Sequence, residues 1–136
     1  MHYNDKRYIE RIFEMENIEN MTEALPMLDN SDARTLAEAI AEVLDSKKGK
    51  DIKVLHVEDK TVIAEYFVIC SGNTGTQVKA LAGEVEYKIG LRGVDPYQVE
   101  GRDNNSWLIV DYSNVIVHIF SREAREFYNL DKLYAD

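Results

Sequence analysis

The sequence predicts a single α/β domain built around one mixed β-sheet flanked by helices. Its 136 residues fit one domain of ordinary size, about 100–200 residues. A hydrophobic fraction of 45% is enough to build one core. Helical and extended patterns recur in the order helix, strand, strand, helix, strand, strand, helix, and such elements bury their apolar sides by packing helices on a shared sheet.

Residues 1–29 are predicted to be a weakly ordered N-terminal extension, and residues 30–136 are predicted to form the domain. Apolar residues between Tyr8 and Met15 favour one short amphipathic helix, which cannot continue through Pro26. The first half of the domain is predicted to begin with a helix that is capped by Ser31 or Asp32 and ended by Lys47-Lys48 and Gly49. Two strands follow, at residues 52–57 and 64–69, and then a loop at residues 71–75. The next helix is predicted to be capped by Thr74 or Thr76 and to end at Gly90.

The second half is predicted to form a hairpin and a last helix. Its elements are a short edge strand within residues 96–101, strands Trp107–Val110 and Val115–Phe120 around the turn Tyr112-Ser113-Asn114, and a helix over residues 121–130 capped by Ser121. Alternation in the second hairpin strand places Val115, Val117 and Ile119 on one face of the sheet, and Ile116, His118 and Phe120 on the other.

The net charge of −9 argues against direct binding to DNA or bare RNA, because lysine and arginine supply most non-specific affinity for phosphates. An acidic chain suits a basic protein partner instead. The single cysteine, Cys70, permits no intramolecular disulfide, and in a strongly apolar run it is expected to be a buried, inert side chain. No apolar run approaches the roughly 18–20 residues that span a bilayer, so no membrane association is expected and the cytosol is the expected compartment.

The loop from Ser71 to Thr76 is the one candidate for nucleotide binding, because a glycine-containing loop before a helix offers backbone N–H groups to an anion. It lacks the lysine of a P-loop, and two glycines that ease a tight turn are the favoured interpretation. A nucleotidyltransferase also needs paired carboxylates one residue apart on a strand. The only such downstream pair is Glu84 and Glu86, which lie in a helix and point in nearly opposite directions. No metal site or cofactor is predicted.

His118 and Asp111 are the candidates for acid–base chemistry, since Asp111 lies across the hairpin turn and can in principle orient the imidazole. No nucleophile is identifiable near them, so a structural or partner-contacting histidine is favoured and no catalytic residue is predicted. Trp107, Tyr112 and Asn114 lie on the same hairpin. An aromatic anchor at the centre of an interface contributes about 2 kcal/mol or more, and for Trp107 a core role and an interface role are equally open.

From about Leu36 to Tyr134 the chain resembles the ribosomal silencing factor family, also called the Iojap-like proteins. The resemblance is carried by DIKVLHV, by YFVICSGNTGTQVKALAGEV, and by the pattern W-x-x-x-D-Y-x-x-V-x-V-H-x-F followed by E-x-R-x-F-Y-x-L. It implies a nucleotidyltransferase-like fold without the catalytic carboxylates. It also implies a translation repressor that binds the large ribosomal subunit through ribosomal protein fourteen of that subunit, blocks joining with the small subunit when nutrients are limiting, and takes part in large-subunit assembly.

The resemblance places Trp107, Asp111, Tyr112 and His118 at positions that form or support the contact surface with a basic ribosomal protein. Asn114, at the end of the same hairpin, is predicted to belong to this surface as well. The chain departs from the family pattern at the turn, where Ser113-Asn114 replaces Gly-Asp, and at His56 and Tyr134. A homodimer off the ribosome stays open, and a nucleotide-binding or nucleotidyltransferase-related enzyme that uses the Ser71–Thr76 loop is the alternative function.

Overall fold

The computed structural model describes residues 25–102 and 105–135 of the chain. Its elements, in chain order, are α1 (Ala33–Ser46), β1 (Lys50–His56), β2 (Tyr66–Gly72), α2 (Gly75–Leu91), β3 (Gln98–Glu100), β4 (Trp107–Asp111), β5 (Val115–Ser121), α3 (Arg122–Tyr128) and α4 (Leu130–Leu133). The helix expected between residues 8 and 15 lies outside the described residues. No helix in the described ranges is long and apolar enough to cross a membrane.

The five strands form one mixed sheet in the order β1-β2-β5-β4-β3. The central pair, β2 and β5, is parallel, and the other three pairs are antiparallel. A parallel pair needs a crossover between its strands, and α2 supplies it here. The predicted fold class, a mixed sheet with flanking helices, is therefore confirmed.

Each face of the sheet carries its own apolar cluster. On one face, called the α1–α2 face, the two long helices cover Val68, Val110, Val115, Val117 and Ile119. The other face, called the C-terminal face, presents Phe67, Ile69, Trp107, Ile109, Ile116, His118 and Phe120, and the last helices pack against it. The predicted alternation of β5 is confirmed, because its valines and Ile119 belong to the first cluster and its remaining apolar residues to the second.

Both long helices begin at a capping side chain. Asp32 accepts a hydrogen bond from the backbone N–H of Thr35 at 3.2 Å, and Thr74 accepts one from Gln77 at 3.0 Å. Their ends differ from the prediction. α1 stops at Ser46, so Lys47-Lys48 lie beyond it, and Lys48 rather than Gly49 takes the left-handed conformation (φ 64°).

Gly49 and Gly90 were predicted to end the two long helices, but the structure gives them other roles. A Cβ on Gly49 would lie 2.4 Å from the Sγ of Cys70, so this position needs glycine for close packing. Gly90 lies inside α2, which continues to Leu91. Cys70 itself is buried, as predicted, and burial raises the pKa of its thiol to about 11.

Two predicted strands are shifted along the chain. β1 covers residues 50–56 rather than 52–57, with an irregular register near Asp51, where φ is 48°. β2 covers residues 66–72 rather than 64–69. Ser71 and Gly72, predicted to be loop, pair with Phe120 and Ser121 in the parallel ladder. β2 extends to Gly72 because it pairs along its whole length with the equally long β5. The local sequence of β2 does not show this pairing.

The last helix is broken into two pieces at Asn129. This residue takes the left-handed conformation (φ 51°, ψ 48°), which asparagine tolerates better than most residues. The chain therefore turns after α3, and α4 runs back over the sheet, where the ring of Tyr134 meets that of Phe67 at 4.8 Å between centroids. The single helix predicted over residues 121–130 was wrong in this respect.

The described part of the predicted extension, residues 25–29, contacts the domain. Leu28 is 8% exposed and belongs to the cluster on the α1–α2 face. Its backbone N–H donates to the carbonyl oxygen of Arg92 at 2.8 Å, and the Nε of Arg92 donates to the carbonyl oxygen of Pro26 at 3.0 Å. These bonds tie the chain before α1 to the end of α2.

Candidate functional site

Trp107 lies half-buried at the start of β4, on the margin of the C-terminal face. Its ring packs against Tyr128 and Phe120, with centroids 4.5 and 4.9 Å away. Its indole Nε1 donates to Nδ1 of His118 at 3.1 Å. Because the only polar atom of the side chain is bonded inside the protein, the exposed part of Trp107 is apolar. The residue contributes both to the core and to the surface.

His118 lies on the floor of the C-terminal face and is 6% exposed. The ring of Phe67 meets its imidazole edge-on at 4.6 Å. Burial lowers its pKa to about 4, so the side chain is neutral at pH 7. Because Nδ1 accepts from Trp107, the proton of the neutral ring is assigned to Nε2.

The structure does not bring Asp111 to His118. Asp111 lies opposite Ile116 in the β4–β5 ladder, whereas His118 lies opposite Ile109. An oxygen of Asp111 accepts instead from the backbone N–H of Ser113 at 2.7 Å. The candidate acid–base pair is therefore not formed. The imidazole accepts its hydrogen bond from an indole rather than donating one to a carboxylate.

Asp111 and Asn114 shape the hairpin turn. Ser113 has a φ of 72°, a conformation that is strained for most residues other than glycine, and the hydrogen bond to Asp111 holds it there. Asn114 donates from its side-chain amide to the carbonyl oxygen of Asn30 at 3.2 Å, which joins the turn to the chain before α1. The turn is thus formed around Ser113-Asn114, with serine in a position that suits glycine.

Tyr112 points away from the C-terminal face and is 1% exposed. It belongs to the cluster beneath α1 and α2, and its hydroxyl has no hydrogen-bond partner among the described residues. Burial, and then the charges of Glu86 and Asp95, raise the pKa of the hydroxyl above its usual value. Tyr112 therefore supports the hairpin from behind and presents nothing to a partner.

An exposed aromatic patch continues from Trp107 onto the last helices. The aromatic patch consists of Trp107, Phe127, Tyr128 and Leu133; of these, Phe127 is 80% exposed and Leu133 is 67% exposed. Tyr128 and Leu133 also line a shallow cleft with Asn129 and Lys132. Isolated exposed apolar residues are ordinary, but a contiguous group of them indicates a binding surface.

Sequence reasoning missed Phe127, Tyr128 and Leu133, although one signal was present. Consecutive residues of a helix point about 100° apart, so two adjacent aromatic residues cannot both point directly at the sheet. The short helix buries Ala124 on its inner side, and Phe127 and Tyr128 meet each other edge-on at 5.0 Å between centroids. The adjacent pair was therefore a signal that one ring would lie at or beyond the margin of the buried face.

Arg125 fixes the helices that carry the aromatic patch. Its guanidinium donates to both carboxylate oxygens of Asp131, at 2.8 and 2.7 Å, to Oγ of Ser71 at 2.8 Å, and to the carbonyl oxygen of Asp51 at 2.7 Å. The hydrogen bonds from Arg125 lower the pKa of Asp131, and Lys53 lies 3.5 Å from the same carboxylate. This network joins α3 and α4 to the ends of β1 and β2.

The Ser71–Thr76 loop uses its polar groups within the protein. The backbone N–H of Asn73 donates to Oε1 of Gln77 at 2.6 Å, and Ser71 is held by Arg125. A Cβ on Gly72 would lie 3.0 Å from Cγ2 of Val78, so this glycine serves close packing of the strand on the helix. No observation at this loop favours a nucleotide.

The two carboxylates of α2 pair with different cations. Glu84 lies 3.7 Å from Nζ of Lys88 and 4.0 Å from that of Lys47, and Glu86 lies 2.8 Å from Arg102. The side chains therefore diverge, as the helical spacing predicts.

Comparisons with known proteins identify relatives over the whole described domain. The family model described as "Ribosomal silencing factor during starvation" matches residues 30–136. The ribosomal silencing factor of Bacillus subtilis is 36% identical over 103 residues, which are 76% of this chain and 87% of that protein. A mouse protein named "Mitochondrial assembly of ribosomal large subunit protein 1" is 31% identical over 109 residues, 78% of this chain and 48% of the mouse protein.

A solved structure has the same fold. The crystal structure of a protein from Chromobacterium violaceum superposes with a TM-score of 0.70 at 32% sequence identity, and the match covers 79% of this chain and 87% of that one.

Proposed function

The chain belongs to the ribosomal silencing factor family, and on that premise we propose that it binds the large ribosomal subunit and represses translation. The binding partner is a basic ribosomal protein, ribosomal protein fourteen of that subunit. The bound factor covers the surface where the small subunit docks, in the cytoplasm, when nutrients are limiting. A second role in large-subunit assembly is supported by the name of the mouse relative.

The aromatic patch is the observation that carries this proposal. Exposed rings at Phe127 and Tyr128, next to the apolar edge of Trp107, form a surface rich in the residue types that dominate protein interfaces. Aromatic ring faces also attract lysine and arginine side chains, at about 0.5–2 kcal/mol for each cation–π contact. A basic protein surface supplies such cations together with their aliphatic stems.

Charge favours the same partner. The net charge of −9 repels bare phosphate backbone and attracts a basic protein surface from a distance. Attraction of this kind accelerates association and is weakened by salt. Binding to large subunits is therefore expected to weaken as the salt concentration rises.

The predicted partner-binding residues divide into one contact residue and four supporting residues. Trp107 contacts the partner through its exposed apolar edge. The other four hold the hairpin in shape from positions that are buried or bonded within the chain; they are Asp111, Tyr112, Asn114 and His118.

The mechanism is steric exclusion and involves no catalysis. The factor and the small subunit compete for one surface of the large subunit, so repression follows from occupancy alone. The fraction of large subunits withheld from joining is then set by the affinity and concentration of the factor. No bond is made or broken.

Co-sedimentation tests the proposal. The purified protein is mixed with large subunits, small subunits or joined ribosomes from Bacillus subtilis, the source of the 36% identical relative, at two salt concentrations. Retention on large subunits alone, reduced at higher salt, is the expected result. Retention on no particle, or equal retention on small subunits, contradicts it.

A homodimer, which the sequence leaves open, is tested separately from binding to the large subunit. Phe127 and Leu133 are exposed in the single chain, and a second copy can cover them in the absence of ribosomes. Sedimentation velocity of the protein alone, over a wide concentration range, distinguishes a monomer from a dimer. If the dimer uses the aromatic patch, added large subunits compete with it.

A further inference from the structure

The hydrogen bond between Trp107 and His118 carries an inference that rests on the proposed function and deepens it. The indole Nε1 lies 3.1 Å from Nδ1 of His118, and the indole has no other polar atom. Because His118 is 6% exposed, this bond turns the indole N–H towards the protein interior. The bond therefore fixes one rotational setting of a side chain that lies on the margin of the sheet.

A histidine at this buried position is costly. Its Nε2 has no hydrogen-bond partner among the described residues, and a buried donor without a partner destabilises the fold. A leucine or phenylalanine would fill the space beside Phe67 and Phe120 without that cost. What histidine supplies, and those side chains lack, is an acceptor at Nδ1.

We propose that His118 is a positioning residue for partner binding, which acts through Trp107. By accepting the indole N–H, it holds the ring against Tyr128 with its apolar edge outward, so the partner meets an aromatic surface that is already ordered. Ordering one such side chain on binding otherwise costs about 0.5–1.5 kcal/mol. The matching partner surface is apolar or cationic, because the indole has no donor left to offer.

Two variants of His118 separate positioning from simple packing. His118→Leu removes the acceptor and keeps an apolar side chain of similar size. His118→Asn keeps an acceptor oxygen near the position of Nδ1. Trp107 is the only tryptophan of the chain, so its indole ¹⁵N–¹H resonance and its fluorescence report the bond directly.

Binding to isolated large subunits of Bacillus subtilis gives the functional readout. The expected result is that His118→Leu moves the indole resonance and weakens binding up to about tenfold, whereas His118→Asn leaves both nearer to the wild-type values. In a background of Trp107→Phe, which lacks the N–H, His118→Leu is expected to cause no further loss. Equal losses for the two His118 variants, or losses that multiply in the double variant, would overturn the proposal.

Two controls keep the outcome decisive. If His118→Leu does not fold, the ring ¹⁵N shifts of wild-type His118 decide: an Nδ1–H tautomer overturns the inference, and an Nε2–H tautomer together with weaker binding by Trp107→Phe supports it. If wild-type protein binds no subunit, the proposed function fails as a whole. If wild type and His118→Leu bind equally well, only the positioning role fails.

Discussion

The two faces of the sheet differ in how completely they are covered. On the α1–α2 face, Leu36 and Ile40 of α1 and Val85 and Ile89 of α2 are fully buried. On the C-terminal face, two short helices cover the centre of the sheet and leave the aromatic patch exposed. Close packing on both faces stabilises the domain, and the C-terminal face in addition carries the contiguous aromatic patch. Under the proposed function, the α1–α2 face contributes to stability alone, whereas the C-terminal face contributes both to stability and to binding.

Among variants that distinguish the two faces, Arg125→Met is expected to reduce the stability of the domain most. The side chain of Arg125 is 11% exposed, and its loss leaves Ser71 without this partner and Asp131 with only the more exposed Lys53. Breaking a buried ion pair on one side costs about 3–5 kcal/mol, so a loss of roughly 3 kcal/mol in the free energy of unfolding is expected. Urea denaturation followed by circular dichroism measures it.

The matched variant for this network is Arg34→Met. Arg34 forms an exposed pair with Glu38 on α1, with 75% of its side chain accessible. An exposed pair of this kind contributes about 1 kcal/mol or less. Equal destabilisation by the two variants would contradict the view that α3 and α4 depend on one buried network.

Acid is expected to destabilise the domain through His118. Burial lowers its pKa from 6.5 to about 4 in the folded protein. Between these values the unfolded chain binds a proton that the folded chain does not, so the free energy of unfolding falls as the pH falls. The loss at pH 5 is about 2 kcal/mol, and it falls close to zero above about pH 7.

His118→Asn removes this titration and serves as the control. Its denaturation midpoint is expected to change less between pH 7 and pH 5 than that of wild type. Asp131 does not interfere in this interval, because its pKa is lowered and its contribution is lost only at more acidic pH. An identical pH profile for the two proteins would show that His118 is not buried in its neutral form.

A smaller, stabilising effect is expected from Ser113→Gly. Serine at a φ of 72° is strained by about 1–2 kcal/mol relative to glycine, and the greater freedom of glycine in the unfolded chain offsets about half of that. Thermal denaturation should show a higher Tm. Glu42→Gly, at an exposed position inside α1, is the control and is expected to lower the Tm, since glycine costs about 1 kcal/mol in a helix interior.

The smallest effect is expected from Mg-ATP. The polar groups of the Ser71–Thr76 loop are already bonded to Gln77 and Arg125, so a nucleotide has few donors left to bind. Thermal denaturation with and without Mg-ATP should give the same Tm. A rise of several degrees would favour the nucleotide-binding alternative.

Much of the fold follows from local patterns. Both long helices, the cap at Ser121 and the hairpin around residues 112–114 were predicted, and Asp32 and Thr74 were each one of two predicted caps. The errors lie where distant residues decide. The parallel ladder extends β2 through Gly72, and Asn129 breaks the last helix where Arg125 can reach Asp131.

The candidate site was harder to predict for the same reason. The motif positions were identified, but the direction of each side chain depends on the whole sheet. Tyr112 belongs to the α1–α2 core, and Trp107 donates to a histidine eleven residues away. The high exposure of Phe127 and the left-handed turn at Asn129 depend on packing that the local sequence does not determine.

The most direct test of the central claim is co-sedimentation of Trp107→Glu with large ribosomal subunits. The predicted result is a loss of binding of about thirtyfold or more, the effect of removing an interface anchor, with the circular dichroism spectrum of a folded domain. Tyr97→Glu, which places the same charge on a 77% exposed aromatic position outside the aromatic patch, should bind like wild type. Undiminished binding by folded Trp107→Glu would contradict the account, because the interface would then lie elsewhere.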